Sequence, residues 1–245
     1  MLYGDPDLYD TLLTASEAQV SFYVGLALRQ AGEVLALACG SGQILVPIAA
    51  RGVPATGLDR SSAMLSAARR RALAAGTTVE LVEGDMRAFD LGRKFSLIFV
   101  ARNSLLHLSE QGDFAGFFSC VRRHLKPNGV LAFDVFNPSL EALARPRAER
   151  FRVMRVDSPS HGELTVETTM DYDRGSQVNR ATWFISTAQT RDAWVVPLHL
   201  RSIFPQELLA LIAAHGFRLA RRDGDFAGGA FTSASMNQVC QCVAN

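Results

Sequence analysis

Two glycines, Gly40 and Gly42, follow the apolar run Val34-Leu35-Ala36-Leu37-Ala38 and precede Ile44 to Arg51, a helical stretch closed by Gly52. Glycine lets the chain turn sharply and lets a ligand approach bare backbone, with the N-terminus of the next helix facing it. Asp59 ends a second apolar run, Ala55-Thr56-Gly57-Leu58. That is about the distance at which nucleoside-binding strand–turn–helix units set an acid against ribose hydroxyls. The turn alone is a weak signal, and the turn followed by a correctly placed acid is a more specific one. The competing reading of Asp59 is a cap on the helix that begins nearby.

These residues need elements to hold them. Short apolar strands and helices alternate from about Glu33: a strand at 34–38, a helix at 44–51 and a strand at 55–58. Ser61 or Ser62 caps a helix that presents Met64, Leu65, Ala68 and Leu73 and stops at Gly76. Strands follow at 78–82 and 95–101, a helix at 114–125, a turn at Pro127-Asn128-Gly129 and a strand at 130–136. Such alternation specifies an α/β fold with a mostly parallel sheet. Between about Phe151 and Phe204 the helical period gives way to alternation, and Asp173-Arg174-Gly175 reads as a hairpin turn. This is an antiparallel insertion. A helix from Pro205 to His215-Gly216 and strands at 218–222 and 236–243 complete the chain.

Lys+Arg and Asp+Glu nearly cancel, leaving a formal charge of +1, which removes the broad attraction that non-specific nucleic-acid binding needs. No apolar run approaches the roughly 20 residues needed to span a bilayer. The segment Met1 to Asp7 lacks the basic and apolar regions of a secretion signal, so a cytoplasmic protein is expected, with neither nucleic acid nor membrane as partner. Cys39, Cys120, Cys240 and Cys242 form no C-x-x-C pair, and no metal site is expected. Cys240 and Cys242 should share one face of a strand as small buried side chains. Nothing in the sequence sets an oligomeric state.

Two ligand classes compete for the glycine turn. A dinucleotide oxidoreductase wants G-x-G-x-x-G, whereas Ala38-Cys39-Gly40-Ser41-Gly42-Gln43 runs into bulky Ile44 and Leu45 without the third glycine. The turn instead resembles the first motif of the class I S-adenosylmethionine-dependent methyltransferases, an acid followed by x-G-x-G-x-G. Val53 to Ser61 looks like the second motif of that family, and Val82-Glu83-Gly84-Asp85-Met86-Arg87 like the third. Phe95 to Leu108 is similar to its fourth strand and active-site loop, and Leu125 to Leu131 to the turn into strand five. The resemblance is detailed over about 30–140 and resumes at 205–217 and in the last strand.

The resemblance implies a Rossmann-like, doubly wound seven-stranded sheet, formed by 1–140 and 205–245, with 141–204 as a β-rich lid. It implies S-adenosylmethionine as cofactor and in-line transfer of its methyl to nitrogen or oxygen of a small-molecule substrate. Ala38, Cys39, Gly40, Ser41 and Gly42 would form the cofactor turn, and Asp59 would hold the ribose with Arg60 beside it. Gly84, Asp85 and Met86 would face the adenine, with Met64 either against that ring or in the core. Ala101, Arg102 and Asn103 would border the reacting end. Two departures stand out: Ala36 replaces the family's acid near the methionine end, and Ala38 replaces the first glycine. The lost acid should weaken cofactor binding by about 1–2 kcal/mol. An alanine at 38 is tolerated if its φ is negative. Ala36 also keeps open a catalytically silent, cofactor-binding module.

A sulfonium is already a strong electrophile, so positioning does most of the work and a general base matters only for a protonated acceptor or a hydroxyl. His107, just past the fourth strand, is the candidate base, its alternative being a surface or core histidine. Tyr9 is a candidate closing residue or an anchor of the first helix. Arg201 can hold an anionic acceptor or form a surface ion pair. Trp183, Phe184, Trp194 and Phe204 can line an acceptor pocket or form the insertion's own small core.

Overall fold

The computed structural model describes residues 2–245. A 3₁₀ turn at Leu2–Gly4 precedes α1 (Pro6–Leu12) and α2 (Glu17–Gln30). Asp5 caps α1 by accepting from Leu8 N, and Ser16 and Gln19 form a reciprocal box at the start of α2. The main domain continues as β1 (Val34–Leu37), α3 (Leu45–Ala49), β2 (Ala55–Asp59), α4 (Ser62–Ala74), β3 (Glu80–Glu83) and β4 (Phe95–Val100). A second 3₁₀ turn (Ser104–His107), α5 (Gln111–His124), β5 (Leu125–Phe136) and the short α6 (Leu140–Leu143) follow. Then come β6 (Phe151–Ser158), β7 (Gly162–Thr169), β8 (Tyr172–Asp173), β9 (Val178–Thr187) and β10 (Trp194–Arg201). The chain closes with α7 (Pro205–Ala214), β11 (Phe217–Asp223) and β12 (Asn237–Ala244).

The main sheet has seven strands in the order β11-β12-β5-β4-β1-β2-β3, with β12 antiparallel to both neighbours and the other pairings parallel. β1 lies near its centre with all four residues buried, as expected of a strand covered on both faces. One face packs Phe117, Phe118, Phe133 and Phe217, and the other packs Tyr23, Leu26, Ile48 and Phe99. At Gly57 on β2 a Cβ would come within 2.6 Å of Leu45 Cδ2 and 2.7 Å of Cys39 Sγ, so only glycine lets the turn after β1 lie this close. Cys240 and Cys242 are both fully buried on β12. The turn expected at 127–129 is instead an irregularity within β5, where Asn128 takes a φ of 64° and the pairing with β4 slips between Phe95 and Leu97.

The residues from 151 to 201 form a separate sheet, β10-β9-β7-β6, with β8 paired to β9. Its buried face, Leu164, Val166, Ile185 and Val196, packs against Leu2, Leu8 and Leu12, and Trp183 and Trp194 border this cluster. Phe184 lies instead beneath the Arg150 guanidinium, 4.0 Å from its ring centroid. The apolar residues of this region therefore hold the N-terminal helix. Among the described residues no helix is long and apolar enough to cross a membrane.

Candidate functional site

Strand order reverses at β1, whose neighbours β2 and β4 lie on opposite sides, and a crevice opens there at the strands' carboxyl ends. Ala36, Leu37, Phe99, Ala101, Arg102 and Ser104 line it together with the turn from Ala38 to Ser41, and Tyr9 of α1 reaches in from the N-terminal segment. Three residues of the turn through Gly42 are left-handed: Ala38, Gly40 and Gly42. Gly40 (φ 56°) has no atom within 4 Å of where a Cβ would sit, which leaves bare backbone open to a ligand. Ala38 has a φ of 51°, so the condition under which an alanine sits here without strain, a negative φ, is not met. The chain must swing here so that Cys39 N–H donates to Leu58 O on β2 at 3.0 Å.

Asp59 does not cap α4; Ser61 does, accepting from Met64 N. The Asp59 carboxylate instead joins two loops, Oδ2 accepting from Gly40 N at 2.8 Å and Oδ1 from Ser61 N at 2.9 Å. Each oxygen keeps acceptor capacity for a further donor. Gly84 N donates to Asp59 O and brings the third loop alongside. The Asp85 carboxylate in that loop is occupied by Arg87, which also reaches Asp113, and exposed Arg60 lies 3.7 Å away. These contacts hold the Asp85 pKa below the usual carboxylate range, the Arg87 hydrogen bond contributing most. Met64 and Met86 are buried.

The loop after β4 is held from below. Arg102 and Asn103 take consecutive left-handed conformations, φ 60° and 62°, which side chains adopt at a cost. Asp134, buried on β5, offsets it: Oδ1 and Oδ2 accept from Arg102 N at 2.9 and 3.0 Å, and Oδ2 from Asn103 N at 3.3 Å. Buried Tyr23 donates its hydroxyl to Asp134 Oδ1 at 2.6 Å. Burial raises the Asp134 pKa, and these donors oppose the rise. The sequence reading missed this pair. The signal was present, because an acid in the otherwise apolar Leu131-Ala132-Phe133-Asp134-Val135 must find donors.

The N-terminal segment closes the site from above. Asp10 accepts from Ser41 Oγ, Gln43 Nε2 and, at 2.7 Å, Arg71, so side chains of the glycine turn grip α1. Ser61 Oγ donates to Tyr3 O, and the Tyr3 hydroxyl lies 2.9 Å from His107 Nε2. Though His107 keeps an exposed face, the protein around its ring desolvates it and lowers its pKa, opposed by the charge of Asp59. Tyr9 accepts from Arg102 at 3.2 Å. Arg201 lies outside the crevice lining. It donates to Ser109 O, Gln177 Oε1 and Glu207 Oε1, bracing the second sheet against the main domain.

A profile of the methyltransferase-domain family matches residues 34–129. Over 231 residues the chain is 27% identical to YqeM of Bacillus subtilis, a protein carrying a methyltransferase name, across 92% of this chain and 90% of that one. It is 33% identical over 143 residues to dTDP-3-amino-3,6-dideoxy-α-D-glucopyranose N,N-dimethyltransferase of Streptomyces fradiae, spanning 56% of this chain and 54% of that enzyme. The CcbJ methyltransferase from Streptomyces caelestis superposes with a TM-score of 0.80 at 24% identity, over 94% of this chain and 97% of that one, a likeness of fold.

Proposed function

We propose that the chain is a class I S-adenosylmethionine-dependent methyltransferase that methylates an amine nitrogen on a small molecule of the amino-sugar class, a reading supported by its methyltransferase-domain match and its methyltransferase relatives. The observation that carries the reading is Asp59, with acceptor capacity to spare, facing the open backbone of Gly40 at the sheet's reversal point. That arrangement fits the cofactor: a carboxylate for a ribose diol, and unobstructed backbone beside it.

In this reading the turn Ala38-Cys39-Gly40-Ser41-Gly42 supports the cofactor through its main chain, and Asp59 accepts from the ribose hydroxyls. Gly84, Asp85 and Met86 border the adenine, Arg60 and Met64 flank it, and Ala101, Arg102 and Asn103 border the methionine end. Tyr9 and the N-terminal helix exclude water. The sheet within 141–204 shapes the acceptor pocket. When bound, S-adenosylmethionine would supply an electrophilic sulfonium methyl together with a neutral thioether as leaving group. A neutral amine brings its own lone pair, so the protein has chiefly to position it. His107 shares a 3₁₀ turn with Ser104 of the crevice and stands 2.9 Å from the Tyr3 hydroxyl, and as the candidate base it would take up the proton that the methylated amine sheds. The likeness to an amino-sugar N,N-dimethyltransferase supports nitrogen over oxygen.

The test is calorimetric titration with S-adenosylmethionine and S-adenosylhomocysteine beside Asp59→Ala, followed by turnover against a panel of amino sugars and hydroxylated sugars. Binding that Asp59→Ala weakens at least about tenfold, the scale of a lost charged hydrogen bond, with S-adenosylhomocysteine released on amines, is the expected result. Tight binding without turnover on any acceptor would favour a silent cofactor-binding module, which Ala36 keeps in view.

A further inference from the structure

Among the described residues fourteen line the crevice, and Arg102 carries the one charged side chain of that set. Its guanidinium is half-buried and rests on neutral partners, the Tyr9 hydroxyl and Leu13 O, with the Tyr9 ring 5.3 Å from its carbon. The acids nearby are otherwise engaged. Asp10 is paired with Arg71, Asp59 accepts from Gly40 N and Ser61 N, and Asp134 is turned to the main chain of Arg102 and Asn103. Ala36, also among the lining residues and 1% exposed, carries only a methyl group. The guanidinium's own hydrogen bonds all go to neutral partners, so an anion that reaches it gains a charge-assisted hydrogen bond. The left-handed pair at 102–103, fastened by Asp134, fixes the backbone from which this side chain enters the crevice.

Resting on the cofactor reading above, we infer that the methionine end of this site recognises the tail by its anionic rather than its cationic group. Arg102 holds the α-carboxylate, and the α-ammonium has no carboxylate to meet. The site then discriminates sharply against a cofactor analogue lacking the carboxylate and tolerates one lacking the amine.

The experiment is calorimetric titration of the native protein with S-adenosylhomocysteine and two truncated analogues: adenosine with a 5′-(3-aminopropylthio) group, which lacks the carboxylate, and adenosine with a 5′-(3-carboxypropylthio) group, which lacks the amine. The expected result is at least about a tenfold loss of affinity for the first and less than about threefold for the second, the gap set by one charged hydrogen bond. In Arg102→Gln, checked for a native circular dichroism spectrum, S-adenosylhomocysteine should weaken to the level of the carboxylate-free analogue and the preference should vanish. Equal losses for both analogues on the native protein, or an Arg102→Gln variant that binds S-adenosylhomocysteine as the native protein does, would overturn the inference and leave the cofactor reading standing. No binding of S-adenosylhomocysteine by the native protein would overturn both.

Discussion

Replacing Asp134 by alanine strips three donors of one acceptor: the Tyr23 hydroxyl and the main-chain N–H groups of Arg102 and Asn103. Hydrogen bonds to a charged group contribute roughly 1.5–3 kcal/mol each, so the gross loss is about 4–9 kcal/mol. The raised pKa of Asp134 shows that burial of the carboxylate already costs part of this, and that cost disappears with the side chain. A net destabilisation of about 3–5 kcal/mol is expected, the range for removing one partner from a buried charged contact. For a chain of this length that lowers the melting temperature by roughly 6–20 °C. The loop loses more than stability, since each left-handed residue at 102 and 103 costs about 1–2 kcal/mol and Asp134 is the acceptor for both of their main-chain N–H groups. Urea unfolding followed by circular dichroism, with S-adenosylhomocysteine titrated into the folded protein, reads both effects. Tyr23→Phe is the control. It leaves the acceptor for Arg102 and Asn103 in place and should cost about 1–3 kcal/mol with cofactor affinity nearly unchanged. The sign with pH is also set: a folded pKa above the unfolded one means that this group's contribution falls as pH rises from about 3.9 through the folded value, and Asp134→Asn removes that slope. An Asp134→Ala protein within 1 kcal/mol of native, binding S-adenosylhomocysteine normally, would refute the reasoning.

Ala38→Gly should stabilise the fold by about 0.5–1 kcal/mol, because relief of left-handed strain at φ 51° exceeds the extra chain entropy of glycine when unfolded; urea unfolding checks it, and a less stable variant contradicts it. His107 should titrate below the usual histidine value of about 6.5, and Asp59→Asn should lower it further by removing a charge that favours the imidazolium. Imidazole NMR shifts against pH report both, and a midpoint that rises in Asp59→Asn would contradict the second.

Local patterns determined a great deal about this chain. The apolar run at 34–38, the glycines at 40 and 42 and the acid at 59 are close in sequence, and strand, turn and helix form from near neighbours with known backbone needs. The loss of helical period after Phe151 likewise marked the second sheet, since two-residue alternation is itself a local signal. What joins the site together was decided by tertiary structure. Tyr23 meets Asp134 across 111 positions, Asp10 meets Ser41 across 31, and Tyr3 meets His107 across 104. Whether Arg201 faced a ligand or Glu207, and whether Trp183 and Trp194 lined a pocket or met the N-terminal helix, depended on which surfaces the two sheets brought together. The φ of Ala38 follows from the same cause. Residue type would have preferred a negative value, but the hydrogen bond from Cys39 N to Leu58 O on the neighbouring strand sets the direction of the chain, and the pairing of β1 with β2 inside the sheet outweighs the one or two kcal/mol that a single backbone conformation costs.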